Sequence, residues 1–236
     1  MLDLFRKARI RRNMIIITMS WVANNCAYYG LHINVTNMSV NEFLNFFLLG
    51  VVEFPASAVG WWAMEHFGRR WSNVALQLLV SGAFFASCLI PAEAAVASMT
   101  ASLVAKFACT ASFMIMYQQA AEVVPTPLRS FALGALSAFS SVFSICMPYI
   151  VFLGRYGTWI PFLFLCVLAG AAGLSAAWLP ETNGYVLCQT IDDAENFGRG
   201  QKFFSLNRVN KEKGYGNADS KEKELDVMAE SSHPTA

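Results

Sequence analysis

The sequence predicts an all-α membrane protein with six transmembrane helices and both termini in the cytoplasm. Three observations predict it. Of the 236 residues 56% are hydrophobic and only 14% are charged, against about 25% charged in a soluble domain. The apolar residues gather into six runs of about 20, the length a helix needs to cross roughly 30 Å of hydrocarbon. Lys and Arg fall on alternate loops, and that asymmetry sets orientation. The runs show neither barrel-type alternation nor the charged outer face of a soluble helix. Backbone groups in lipid must be satisfied within their own segment, so such runs are helices.

The chain opens with a basic arm, residues 1–13, carrying Arg6, Lys7, Arg9, Arg11 and Arg12. It leads into apolar sequence without a clear cleavage site, so it is read as a cytosolic flank rather than a signal peptide. The spans follow at about 14–34, 43–64, 71–91, 98–121, 131–153 and 159–179. In the second, Phe54-Pro55 marks a kink point. The loop after it carries Arg69 and Arg70, and the loop after the fourth carries Arg129. The three intervening loops carry Arg155 alone. Asn34 and Asn37 begin glycosylation sequons on the outer side, too close to the membrane for use to be expected. The six-helix unit is assigned to residues 14–180. The tail, 181–236, is polar and of mixed charge, with disorder expected beyond a short helix capped by Thr190.

Between the fourth and fifth runs lies Glu122-Val-Val-Pro-Thr-Pro-Leu-Arg129. Pro125 and Pro127 lack an N–H and bias the residues before them away from helix. A helix ends here, and a charged turn is expected to meet water.

Composition excludes several classes of function. A net charge of +1 gives no reason to expect a nucleic-acid partner. The six cysteines lack metal-ligand spacing and are read as small buried hydrophobes. Nothing resembles a phosphate loop, a metal pair or a nucleophile beside a base. Neither an enzyme nor a cofactor is expected, and the partner implied is the lipid bilayer.

Polar side chains inside the runs are the functional candidates, because each needs a partner or a wet cavity; the competing role is interhelical packing. Asn25, Tyr28, Tyr29 and His32 share one helical face in the first span. Lys106, Thr110, Phe113 and Tyr117 do so in the fourth, and Ser137, Ser141, Ser144 and Pro148 in the fifth. Three stripes suggest one shared pathway. Lys106 lies deep in a span, where an uncompensated charge costs about 2.5–3.5 kcal/mol on insertion scales. It is expected to snorkel, to face the cavity, or to pair with Glu53. His32 is read first as a packing residue. Ala169-Gly-Ala-Ala-Gly173 allows close helix approach in the last span.

Several strings carry a resemblance. Gly68-Arg69-Arg70-Trp71, Glu122-x-x-Pro-Thr-x-x-Arg129 and Leu179-Pro-Glu-Thr182 resemble the C-terminal half of a major facilitator transporter. Met1-Leu-Asp-Leu-Phe-Arg6, Tyr28-Tyr-Gly-Leu-x-Ile-Asn34 and Ala105-Lys-Phe-x-x-Thr-Ala-Ser-Phe113 are similar to the organic cation/anion/carnitine transporters, solute carrier family 22. Sugar porters share some of these strings but carry Gln-Gln where this chain has Asn24-Asn25; a sugar-like substrate stays as an alternative. The resemblance implies one six-helix half of a twelve-helix fold in the plasma membrane. It implies alternating-access transport of a small organic ion, with the three stripes as a cavity wall. It also implies a cytoplasmic gate of Arg69, Arg70, Glu122, Arg129 and Glu181. Neutral Ser141 stands where family members carry an acid or a base, leaving substrate charge open, whereas Lys106 tilts toward an anion or zwitterion. The other half, or a full-length relative, is the implied partner; without it the chain is expected to act only as a membrane partner.

Overall fold

A computed structural model describes residues 8–34, 42–91, 94–157 and 159–182. Arg6, Lys7, most of both sequons and the tail from residue 183 lie outside the described residues. The rest is helical: α1 (Ala8–Asn34), α2 (Glu42–His66), α3 (Arg69–Leu89), α4 (Ala95–Val123), α5 (Arg129–Ser144), α6 (Met147–Phe152) and α7 (Trp159–Ala176). Single 3-10 turns at Thr126–Leu128 and Leu153–Arg155 precede α5 and follow α6.

Five segments are long and apolar enough to cross a membrane: Phe43–His66, Arg69–Leu89, Val96–Val123, Thr126–Arg155 and Trp159–Ala176. Six were expected, and α1 is the one that falls short by composition. Its 27 residues give a rod of about 40 Å, so length is not the reason. It begins at Ala8 and so takes in Arg9, Arg11 and Arg12, which had been assigned to the arm. It also carries Asn13, Ser20 and Asn24, all buried. Those polar groups lower its apolar character, yet they point into protein.

The expected continuous fifth helix is broken. α5 ends at Ser144, a turn covers Ile145 and Cys146, and α6 starts at Met147 with Pro148 in its first turn. Pro148 cannot donate to the Ser144 carbonyl four residues back, and its ring clashes there. Three serine hydroxyls bond back onto this helix: Ser140 and Ser141 to the Ser137 carbonyl, and Ser144 to that of Ser140. Such back-bonding bends helices. Pro55, by contrast, sits within one unbroken helical segment.

The helices form a layered bundle. α4 packs against α2, α3 and α1; α1 packs against α4, α5, α6 and α7; and α3 and α7 make the most extensive pair. That pair closes through small residues. A Cβ on Gly170 would lie 3.1 Å from Ser81 Oγ, and one on Gly173 would lie 3.1 Å from Gln77 Cβ. The core forms two clusters, one toward each end of the bundle. Ile10, Trp21, Met116, Val124 and Leu179 belong to the first. Leu31, Phe84, Met147 and Leu165 belong to the second. Because Val123, Val124 and Pro125 are buried, the proline turn is half core and not simply a solvated loop.

α2 lies close against α4 at Gly60, where an added Cβ would sit 2.9 Å from the Ala111 carbonyl oxygen and 3.1 Å from its Cα. Backbone cannot give way as a side chain can. Gly60→Val is expected to force α2 off α4 and cost about 1–3 kcal/mol, read as a lower midpoint of thermal unfolding in detergent. An unchanged midpoint would mean that the two helices are not in register here.

Candidate functional site

The site is centred on Lys106, halfway along α4 and completely buried. Its Nζ lies 2.7 Å from Glu53 Oε1 of α2 and 2.7 Å from His32 Nε2 of α1. It also stands over the Tyr28 ring, 3.2 Å from the centroid. Tyr28 donates its O–H to the same Glu53 oxygen at 2.8 Å. One lysine therefore ties three helices together. A buried cation needs both a counter-charge and good hydrogen bonds; the carboxylate supplies the first, imidazole and phenol ring the rest. Of the sequence alternatives for Lys106, pairing with Glu53 is the one realised.

The pair is asymmetric. Lys106 has no exposed side-chain surface, while Glu53 keeps 35% of its own. Of the two, the acid is the one with surface to offer. Tyr28 packs edge-on to Tyr29 at 5.7 Å and tilted to His32 at 4.8 Å, and His32 stacks on Phe46 at 6.3 Å. Farther along α1 and α4, Trp21 contacts Phe113 at 5.7 Å and Tyr117 at 5.8 Å. Tyr29, Phe113 and Tyr117 are all exposed.

The three stripes do not form one continuous surface. Those of α1 and α4 share one aromatic and charged surface. Asn25 joins α1 to α5 by donating to Ser140 Oγ at 2.9 Å. Thr110 Oγ1 is buried without a hydrogen-bond partner. Ser141 is exposed but bonded to its own helix. Glu53 belongs with the site and was absent from the stripes, because its own helix carries no polar row. Behind α4 runs a second polar network that periodicity did not single out. Ser112 donates to Asn73 Oδ1 at 3.0 Å, Asn73 Nδ2 lies 3.5 Å from Gln119 Oε1, and Gln119 reaches the Pro180 carbonyl at 3.5 Å. All three side chains are buried.

A second charged cluster closes the end of the bundle where α2 meets α3. Gly68 has φ +85, the left-handed region, and the Glu181 carboxylate lies where its Cβ would be, at 2.8 Å. Glu181 accepts from the backbone N–H of Arg69 at 2.8 Å and of Arg70 at 3.2 Å. It thus caps the N-terminus of α3 from more than a hundred residues away, where the helix dipole favours a negative charge. Arg69 Nη2 pairs with Glu122 Oε1 at 3.1 Å. Arg70 donates to the Ala177 carbonyl at the end of α7. Arg129 donates to Thr126 Oγ1 within its own turn, at 3.4 Å. Four of the five expected gate residues thus meet in one cluster, and Arg129 stands in the adjoining turn.

Residues 2–191 match the family described as "Sugar (and other) transporter". The chain belongs to this family. Among relatives, it is 33% identical over 231 residues to the carcinine transporter of Drosophila melanogaster, covering 98% of this chain and 34% of the relative. It is 34% identical over 194 residues to human solute carrier family 22 member 13, covering 82% and 35%. It is 32% identical over 191 residues to the human organic cation/carnitine transporter 2, covering 81% and 34%. The chain spans about a third of the length of these curated relatives. A crystal structure of a peptide transporter with sulfate superposes with a TM-score of 0.62 at 12% identity, over 92% of this chain and 44% of that one. The inward-open xylose transporter of E. coli does so with 0.53 at 15%, over 72% and 48%. The family and the apolar helices make this a multi-pass membrane protein with a transporter fold.

Burial ranks the two members of the ion pair. Glu53→Gln strands a fully buried ammonium and is expected to cost about 3 kcal/mol. Lys106→Met leaves a carboxylate that still reaches solvent and keeps Tyr28, so it costs less than half as much. Thermal unfolding of both single variants and the double variant tests this, and equal losses would contradict it. Gly68→Ala combines a disfavoured φ with a clash on the capping carboxylate and is expected to cost about 2 kcal/mol or more. A midpoint within experimental error of the parent would show that Glu181 does not hold this turn.

Proposed function

We propose that this chain forms one six-helix half of a secondary transporter that moves small organic ions across the plasma membrane by alternating access. The observation that carries this reading is the Glu53–Lys106 pair at mid-length of α2 and α4, beside the exposed rings of Tyr29, Phe113 and Tyr117. Ionisable residues at such depth mark substrate or ion pathways, and in transporters of this build the substrate sits near the midplane between two halves. Aromatic faces around a carboxylate suit an organic ammonium. Membership in a transporter family and relatives named for organic cations and carnitine support the same substrate class.

On this reading α1 is the sixth span, its polar side chains tolerated because protein covers them. The arm 1–13 and the tail 181–236 lie in the cytoplasm, a placement that the Lys and Arg asymmetry supports. The opposite cavity wall comes from a facing half, either further sequence of the same polypeptide or a full-length relative. The gradient of the solute or of an exchanged ion drives transport. A second reading has the chain acting only as a membrane partner.

Uptake of radiolabelled carnitine, tetraethylammonium and xylose by cells making the chain, alone and beside a full-length relative, separates the readings. Saturable uptake of either ion by the chain alone would sink the partner reading. Xylose uptake in its place would overturn the organic-ion assignment. Absence of uptake despite surface expression counts against transport by this half alone.

The charged cluster between α2 and α3 is proposed as the cytoplasmic gate. Its charged side chains are largely buried, Arg69 and Glu122 keeping 16% and 13% of their surface and Arg70 and Glu181 less still, and a network of them can bias states that lie within a few kcal/mol. Arg129→Ala and Glu122→Ala are each expected to lower turnover several-fold and leave the order of preferred substrates unchanged. A changed substrate order at normal turnover would remove these residues from the gate.

A further inference from the structure

Arg9, Arg11 and Arg12 open α1, and the sequence sets Arg6 and Lys7 just before them. The local electrostatics oppose this arrangement. Arg9 and Arg12, three apart, are like-charged neighbours on the helix surface and repel. No acid stands in the first turn of α1, and the positive end of the helix dipole adds to the arginine charges rather than offsetting them. Among the described residues no acid pairs with Arg9, Arg11 or Arg12. Two acids that close this end of the bundle are engaged elsewhere, Glu122 by Arg69 and Glu181 by two backbone N–H groups of α3. An external anion would relieve the repulsion.

The exposed face of α1 shows where that anion sits. Ile10, Asn13, Met14 and Ile17 are buried in the bundle, whereas Arg11, Arg12, Ile15 and Met19 are exposed. The outer face therefore changes from two arginines to two apolar side chains, and Arg12 and Ile15 are only about 4.5 Å apart along the axis. Ile15, at 60% exposure, belongs in hydrocarbon. The arginines one turn nearer the N-terminus then lie at the level of the lipid headgroups.

We propose that Arg11 and Arg12, with Arg9 beside them, bind the phosphate of an anionic phospholipid in the cytoplasmic leaflet. The choice of leaflet rests on the cytoplasmic placement of the arm proposed above; the lipid preference rests on neither that placement nor transport. Guanidinium groups meet phosphate oxygens in a two-point fork. Basic clusters of this size beside a membrane span draw anionic headgroups, each charge strengthening the association about fivefold. A soluble phosphate offers the same oxygens, but it leaves Ile15 and Met19 bare. The acyl chains that a lipid brings with its phosphate cover both, so one molecule satisfies the charged and the apolar part of the face.

The test uses the full chain in phosphatidylcholine nanodiscs that carry a trace of photoactivatable phosphatidylserine or, in parallel, photoactivatable phosphatidylcholine. Adducts are mapped by mass spectrometry. At low salt the phosphatidylserine probe is expected to label residues 11–19 about tenfold more than the phosphatidylcholine probe. At about 1 M salt, where charges are screened beyond roughly 3 Å, the two should label alike. Arg11→Gln with Arg12→Gln should bring the low-salt ratio close to one, and Arg11→Lys with Arg12→Lys should keep most of it. Arg155→Gln, at the other end of the bundle, should leave it unchanged. A parent ratio near one, or the parent's ratio in the glutamine pair, overturns the proposal. Loss in the lysine pair as well means that the arginines act through the fold, and overturns it too. If millimolar inorganic phosphate abolishes the preference, the surface takes free anions and the lipid assignment falls. Nanodiscs offer lipid to both ends of the bundle, so the ratio holds whichever way the chain spans. Orientation is read separately, by trypsin cleavage of the arm in intact and permeabilised cells. Cleavage in intact cells overturns the cytoplasmic leaflet and the proposed topology together.

Discussion

A lysine with no exposed surface, placed halfway along a helix in an apolar bundle, is the constraint on which the arrangement depends. Burying it uncompensated would cost more than a single helix contact returns. The fold meets that cost by bringing α1, α2 and α4 to one point, where Glu53, His32 and the Tyr28 ring each engage the ammonium. Close approach at Gly60 follows the same need, since α2 must lie against α4 for Glu53 to reach. The polar character of α1 has the same origin. A helix that supplies His32, Tyr28, Asn24 and Asn25 to its neighbours cannot also be uniformly apolar.

The second charged cluster is built on another principle. Glu181 holds two backbone N–H groups at the start of α3, and Gly68 leaves the space for its carboxylate. This contact ties the end of the last helix to the turn between the second and third. Arg69 carries the link on to Glu122 at the end of α4. Both clusters thus share α4, with Lys106 at its middle and Glu122 near its end, and both reach across to the hairpin of α2 and α3. A displacement of α2 along or away from α4 strains the two together.

Much of this was legible in the sequence, and the parts that were not have physical reasons. Helix positions followed from run length, and the proline turn ended α4 at Val123 as the string required. The break at Ser144 was missed although Pro148 announced it, because a proline inside an apolar run reads equally well as a tolerated kink such as Pro55. Lys106 drew notice through its charge, and Glu53 was considered only as its partner, since periodicity finds stripes and Glu53 is the one charged residue in the apolar middle of its helix. Asn73, Ser112 and Gln119 were overlooked for a related reason. They are scattered over α3 and α4 and become a network only when those helices pack. The role of Glu181 as a helix cap could not be read at all, because capping rules work over three or four residues and this cap spans the chain.

The charge the lysine cluster presents is set by arrangement rather than by residue type. A base in this position suggests an anion when read from sequence. In the fold the same base is spent on an internal acid, and the balance of accessible charge reverses. The side chain that remains reachable is Glu53, flanked by Tyr28, with Tyr29 beside it. Which partner of a buried pair keeps its exposure sets the charge a cluster presents, and here the difference between none and 35% leaves the carboxylate as that group.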